Sequence, residues 1–179
     1  MKKRPHCLQI VSCVILFCVL LCCKQTNTSL KTRLKAFIGT EIVIPRSLPL
    51  FNDVNHHINR DAKYKIICYI DSVSCAECRL NKSVLTWVSL MNSFEKEDFS
   101  LFIIVDSQDF NQIRALFERY GLDIPFFIDF NSEFRGANNI PTEELFHTFL
   151  LRDNIVVLAG DPSNNPNLQS LYDKEIKRK

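Results

Sequence analysis

The chain has 179 residues, 46% hydrophobic and 23% charged, so it can build a hydrophobic core and is not expected to be disordered. This length suits one ordinary domain with an additional N-terminal segment. The formal net charge is +2, but the first 22 residues carry three basic side chains and no acid. The remaining 19 basic and 20 acidic residues give a net charge of −1, and no part of them resembles the clustered basic face of nucleic-acid binding proteins.

The first 22 residues have the pattern of a secretory signal peptide. The basic start, Met1-Lys-Lys-Arg4, precedes a nearly continuous apolar run from Leu8 to Leu21. This run is short for a permanent membrane-spanning helix and suits the apolar region of a signal peptide better. An uncleaved membrane anchor is the alternative interpretation. Both interpretations tether the domain to a membrane and place it on the outer side.

The apolar run ends in Leu20-Leu21-Cys22-Cys23, and polar residues follow at once. This pattern resembles the lipobox of bacterial lipoproteins, in which a cysteine becomes the lipid-carrying N-terminus after cleavage. The resemblance implies lipidation of Cys23, because the small Cys22 precedes it. Residues 23–36 are then a tether, and we expect a lipid-anchored protein of the bacterial envelope that faces the periplasm or the cell surface.

The first predicted elements of the domain are a short strand over residues 37–45 and a loop over residues 46–62. Tyr64–Ile70 is rich in β-branched and aromatic residues, which predicts a buried strand. Residues 76–94 place apolar side chains, including Trp87, at helical spacing, which predicts a helix with one apolar face.

The rest of the chain continues this alternation of strands and helices. The predicted elements are a central strand over Phe99–Val105, a helix over 109–120, a short strand over 125–129, a hairpin of 145–151 with 155–159, and a C-terminal helix with Leu168, Leu171, Tyr172 and Ile176 on its apolar face. Parallel crossovers followed by an antiparallel hairpin predict an α/β fold. The expected architecture is a thioredoxin-like three-layer sandwich over residues 37–179, with a mixed central sheet and helices on both faces.

Three of the eight cysteines lie in this domain, at Cys68, Cys75 and Cys78. The motif Cys75-Ala-Glu-Cys78 falls where the first long strand gives way to the following helix. Residues three apart on a helix share a face, so the two thiols can form a disulfide. Unpaired N–H groups and the helix dipole stabilise a thiolate at a helix start. We therefore predict a redox site with Cys75 as the nucleophile and Cys78 as the resolving thiol.

Three stretches make the resemblance to a family explicit. Ser74-Cys-Ala-Glu-Cys-Arg-Leu80, Phe126-Phe-Ile-Asp129 and Thr148–Val157 resemble the membrane-anchored thioredoxin-like proteins of the TlpA and redoxin group, over roughly residues 37–178. The resemblance implies thiol–disulfide exchange, with Cys75 attacking and Cys78 resolving. It also implies protein disulfide clients and a membrane reductant as partners. No cofactor is expected.

Several positions differ from the pattern of that group. Ser74 stands where tryptophan usually precedes the first cysteine, and Ser83 where proline often kinks the helix. Tyr69 occupies the place of a buried acid. The cis-proline that faces the dithiol corresponds to Phe146, or to Pro141 if residues 143–147 are an insertion.

Glu77 lies between the two thiols and disfavours a neighbouring thiolate. We expect the pKa of Cys75 to be higher than in strongly oxidising relatives. The predicted activity is therefore reduction or isomerisation of client disulfides.

The sequence also allows two other functions. Cys75, Cys78 and His147 could form a Cys₂His site for copper(I) or zinc, or the domain could be a binding module with an inert disulfide. Cys68 is expected to pack in the core, and Asp71 to be solvated or to relay protons. Asp106 is expected to be a loop acid and Asp109 a helix-capping acid.

Overall fold

The computed structural model describes residues 29–52, 58–71, 83, 86–87, 89 and 98–178. Ile38–Lys179 form one compact unit, and residues 29–37 of the preceding unit are helical. Helical structure therefore covers part of the stretch that we expected to be a tether. In the part of the chain that the structure describes, no helix is sufficiently long and apolar to cross a membrane.

The core of the unit is a mixed six-stranded sheet with the order β1-β4-β3-β2-β5-β6. Strands β2, β3 and β4 are parallel to one another, whereas β1, β5 and β6 each pair antiparallel with their neighbours. The strands are β1 Leu50–Phe51, β2 Tyr64–Ile70, β3 Phe99–Val105, β4 Phe126–Ile128, β5 Thr148–Arg152 and β6 Ile155–Ala159. The mixed sheet confirms the predicted fold class.

Three helices have described bounds: α1 Phe110–Arg119, α2 Glu133–Asn138 and α3 Pro166–Ile176. Asp109 caps α1 by accepting the N–H of Gln112, as expected of a capping acid. Short 3₁₀ turns cover Glu144–Phe146 and Pro162–Asn164. Ser83, Thr86, Trp87 and Ser89 are also helical, in agreement with the predicted helix over residues 76–94.

The two faces of the sheet bury different side chains. One face packs Ile66, Cys68 and Ile103 against α1, α3 and the buried Trp87. The other face carries Tyr69, which contacts Phe134 of α2 with ring centroids 5.6 Å apart. Helices therefore lie on both faces, and both Cys68 and Trp87 pack in the core as predicted.

Three local expectations were wrong. Residues 37–45 form no regular strand: only Glu41 makes an isolated bridge, to Ile155, because the chain leaves the edge of β6 after a few hydrogen bonds. The expected loop 46–62 contains the two-residue strand β1. Leu171 is 50% exposed, so it does not contribute to the buried face of α3.

Candidate functional site

The three parallel strands end in the same way, each followed directly by a buried aspartate. Asp71 follows β2, Asp106 follows β3 and Asp129 follows β4, with exposed fractions of 4%, 6% and 0%. Because these strands are parallel, their carboxyl ends meet at one edge of the sheet, where open α/β folds bind their ligands. The chain leaves β2 at this edge and continues toward Cys75.

Asp71 is held by an ion pair with α2. The guanidinium of Arg135 donates to the Asp71 carboxylate at 3.1 Å, and the Asp71 side chain is only 5% exposed. The same guanidinium lies 5.9 Å from the centre of the Tyr69 ring. Our expectation that Asp71 is simply solvated was wrong, because Arg135 compensates its charge and allows it to be buried.

Asp106 anchors a hydrogen-bonded cluster beneath this pair. Its carboxylate accepts from the phenol of Tyr69 at 2.6 Å and from the hydroxyl of Ser132 at 2.8 Å. Burial and the bond to Asp106 raise the pKa of Tyr69 well above its ordinary range, so the phenol remains a donor. Asp106, which we expected to be a loop acid, follows β3 directly and is a buried acceptor.

Asp129 fixes the start of α2. Its two carboxylate oxygens accept the backbone N–H groups of Glu133 at 2.7 Å and Phe134 at 2.9 Å. Burial raises the pKa of this carboxyl, and the two backbone hydrogen bonds oppose the rise. This capping positions Arg135 one turn further along, where it reaches Asp71.

His147 lies just before β5 and is 1% exposed. Its Nε2 lies 3.1 Å from the carbonyl oxygen of Pro141 and 3.9 Å from the Asp71 carboxylate. A carbonyl oxygen only accepts, so Nε2 carries the proton and donates to Pro141. The carbonyl of His147 in turn accepts from the N–H of Tyr69 at 2.7 Å. His147 therefore lies beside Asp71 and Tyr69, with its Nε2 engaged by the carbonyl of Pro141.

The structure does not place the two thiols relative to this cluster. Cys75, Cys78 and the expected lipidation residue Cys23 lie outside the described residues. Across the described ranges, no three His, Cys, Asp or Glu side chains are grouped so that they could hold a metal ion. The metal site of Cys75, Cys78 and His147 stays a prediction of the sequence.

Phe146 and Pro141, the two candidates for the family's proline position, both lie in the loop before β5. Phe146 ends the 3₁₀ turn and is fully buried. Every peptide bond among the described residues is trans.

Ser83 is held by the stretch of chain that follows β6. Its hydroxyl donates to the Asp161 carboxylate at 2.7 Å and lies 3.0 Å from the hydroxyl of Ser163. Ser83 is 2% exposed. This contact joins the helical segment that follows Cys78 to the chain between β6 and α3.

Comparison with known proteins agrees with this architecture. The thioredoxin domain of a thiol-disulfide oxidoreductase from Bacteroides vulgatus superposes with a TM-score of 0.52 at 12% identity, covering 65% of this chain and 81% of that one. A domain of a possible thiol-disulfide isomerase from Cytophaga hutchinsonii gives 0.50 at 15% identity, covering 79% and 97%. The chain has a thioredoxin-like fold.

The same fold also occurs in a peroxiredoxin. Peroxiredoxin Q from Xanthomonas campestris superposes with a TM-score of 0.52 at 16% identity, covering 77% of this chain and all of that one. No family profile and no curated protein sequence matches the chain. At these identities the likeness shows the fold alone.

Proposed function

We propose that this protein is a thiol–disulfide oxidoreductase that uses Cys75 and Cys78 to reduce or isomerise disulfides of extracytoplasmic proteins. The observation that carries the proposal is the position of the motif. In the sequence it begins four residues after Asp71, which follows β2 at the sheet edge where Asp106 and Asp129 also lie. In a thioredoxin-like fold, a C-x-x-C sequence at this point of the chain is typical of redox exchange.

In the proposed reaction, the Cys75 thiolate attacks one sulfur of the client disulfide. A mixed disulfide forms, and the other client sulfur leaves as a thiolate that takes up a proton. Cys78 then attacks Cys75 in the mixed disulfide, which releases the second client thiol and leaves a Cys75–Cys78 disulfide. A membrane reductant returns two electrons and restores the dithiol.

The buried cluster supports this chemistry by fixing the end of β2. The Asp71 carboxylate is compensated by Arg135 at 3.1 Å, which reduces the negative potential near the following residues. Since a nearby carboxylate raises the pKa of a thiol, this compensation favours the Cys75 thiolate. Glu77 acts in the opposite direction, which supports reduction rather than strong oxidation.

Reduction of insulin by the full chain tests this proposal, with dithiothreitol as the electron source. The wild type is expected to accelerate precipitation of the insulin B chain, and Cys75→Ala to abolish the acceleration. Cys68→Ala is the matched control: this cysteine is buried within β2, so its loss should leave the activity in place. Wild-type activity no higher than that of Cys75→Ala would indicate a non-catalytic module instead.

The effect of Glu77 on the Cys75 thiol has its own test. Glu77→Gln removes a negative charge between the two thiols and is expected to lower the pKa of Cys75. The measurement is the pH dependence of Cys75 alkylation by iodoacetamide. An unchanged or higher pKa in the variant would contradict the role given to Glu77.

Membrane attachment is proposed to occur through a lipid on Cys23. Metabolic labelling of expressing bacteria with radioactive palmitate is expected to mark the wild type and Cys22→Ser, whereas Cys23→Ser should lose the label. Labelling of Cys23→Ser would contradict this assignment.

A further inference from the structure

A groove of about 640 Å³ lies near the start of β2, whereas Asp71 follows the end of this strand. It borders the Asp153–Asn154 turn between β5 and β6, and the N–H of Asp153 donates to the carbonyl of Lys63, just before β2. Its polar lining comprises Glu41, Arg46, Arg60, Asp61 and Asn154. Its volume is in the range of sites that bind small ligands.

Arg60 is held in a fixed orientation at this groove. Its guanidinium carbon lies 4.8 Å from the centre of the Phe127 ring, and Nη1 donates to the carbonyl of Pro45 at 3.3 Å. These two contacts hold the guanidinium in place, and the Pro45 bond uses one of its five N–H donors. A planar, oriented guanidinium suits bidentate recognition of a carboxylate.

Asn154 presents a second oriented donor. Its side-chain oxygen accepts from the ammonium of the buried Lys65 at 2.9 Å. Because an ammonium only donates, the oxygen must face Lys65, and the amide NH₂ is then on the other side. The backbone carbonyl of Asn154 accepts from the N–H of Ile42 at 2.8 Å, which holds the turn against the wall of the groove.

The charges of the lining favour a ligand that also carries hydrogen-bond donors. Arg46 and Arg60 provide two positive charges, and Glu41 and Asp61 provide two negative ones. A doubly charged phosphate would be repelled by both acids, whereas a carboxylate carries only one charge. Glu41 and Asp61 can accept N–H groups, which a peptide has next to its carboxylate.

We propose that this groove binds a peptide through one carboxylate, with Arg60 and Asn154 as donors to the carboxylate. Arg46 adds positive charge, and Glu41 and Asp61 accept peptide N–H groups. The carboxylate belongs either to a peptide C-terminus or to an acidic side chain, and peptides that carry only one of the two distinguish these sources. The inference does not depend on the redox function, so Cys75→Ala is expected to bind the peptide as the wild type does.

Isothermal titration calorimetry of the full chain in detergent tests the inference with three probes. They are acetyl-trialanine with a free carboxylate, its C-terminal amide, and acetyl-Ala-Asp-Ala-amide. One of the two carboxylate peptides is expected to bind at least about tenfold more tightly than the uncharged amide. The peptide that binds more tightly shows whether the groove takes a C-terminal or a side-chain carboxylate. Equal affinity for all three peptides, or no binding of either carboxylate peptide at millimolar concentration, would overturn it.

Variants assign the binding to the groove. Arg60→Gln is expected to weaken the preferred peptide by about tenfold or more, because the oriented fork is lost. Arg46→Gln should weaken it less; this exposed side chain can be replaced with little effect on folding. Arg119→Gln, exposed on α1, is the control and should bind normally. Thermal unfolding checks that each variant is folded, and unchanged affinity in both Arg46→Gln and Arg60→Gln would exclude this groove.

Discussion

Arg135 of α2 donates to the Asp71 carboxylate at 3.1 Å across 64 residues of sequence. The two side chains are 24% and 5% exposed, in contrast to the exposed pair of Arg114 and Glu118, where both side chains are 63% exposed. Arg135 thus connects the helix after β4 to the end of β2. The residue from which the chain continues to Cys75 is fixed by this contact.

Replacing Arg135 by methionine is expected to destabilise the folded state by about 2–4 kcal/mol at neutral pH. The variant leaves the Asp71 carboxylate buried without its cation. The expected loss of stability is close to that seen when one partner of a buried ion pair is removed. The measurement is urea unfolding followed by circular dichroism.

Arg114→Met is the matched control, because it breaks an exposed pair between the same residue types. Its effect is expected to stay within about 0.5 kcal/mol. Equal stability losses in Arg114→Met and Arg135→Met would show that the buried pair stabilises the fold no more than the exposed pair does.

The same variant has a predicted effect on catalysis. Without Arg135 the charge of Asp71 is uncompensated, and four peptide units of extended chain span no more than about 14 Å between Asp71 and Cys75. Arg135→Met is therefore expected to raise the pKa of Cys75 and slow insulin reduction at neutral pH. The rate should recover as the pH rises. A loss of activity with an unchanged pH profile would point to a purely structural role.

The raised pKa of Tyr69 predicts how the stability of the folded chain changes at alkaline pH. Burial and the Asp106 bond raise its pKa far above that of an exposed tyrosine, and burial also raises the pKa of Tyr172. The folded chain keeps these protons when the unfolded chain loses them near pH 10, so their stabilising contribution is complete below about pH 10 and decreases above it.

Tyr69→Phe is expected to cost about 1–2 kcal/mol at neutral pH through loss of the Asp106 hydrogen bond. The variant should also lose stability less steeply than the wild type above pH 10. Lys65 has a lowered pKa from burial and acts in the opposite sense, so the comparison is between the two slopes. Parallel slopes would contradict the raised pKa of Tyr69.

The long elements of the fold could be predicted from the sequence because their patterns are local. Strands β2 and β3 are apolar except for Lys65 and Ser100, and α1 has a helical apolar period with Asp109 as its cap. The two-residue β1 is too short for any periodicity. Helix α2 was missed because it has only six residues and depends on capping by Asp129, which precedes its first residue by four.

The chemistry of the site could be predicted only in part. The spacing of Cys75 and Cys78 is a local signal, whereas the burial of Asp71 depends on Arg135 and that of Asp106 on Tyr69, 37 residues earlier. Such long-range partners leave no periodic trace. A usable signal was present: each of three apolar strands is followed directly by aspartate.

Ser83 provides a test of how the helical segment after the motif is anchored. Ser83→Ala removes the hydroxyl that donates to Asp161 at 2.7 Å and is expected to cost about 1–2 kcal/mol. Ser83→Pro, which introduces the residue often found at this position in the TlpA and redoxin group, should cost more, about 3 kcal/mol or above, since it also removes a backbone N–H within a helical segment. Urea unfolding ranks the two variants, and a more stable Ser83→Pro would contradict this account.

Trapping of a client by Cys78→Ala tests the central claim most directly. Without the resolving thiol, a disulfide-containing peptide should remain attached to the chain as a mixed disulfide that dithiothreitol releases. Mass spectrometry of the adduct is predicted to locate the bond at Cys75, and Cys75→Ala should form no adduct. Attachment at Cys68, or no adduct on Cys78→Ala, would contradict the assignment of Cys75 as the attacking thiol.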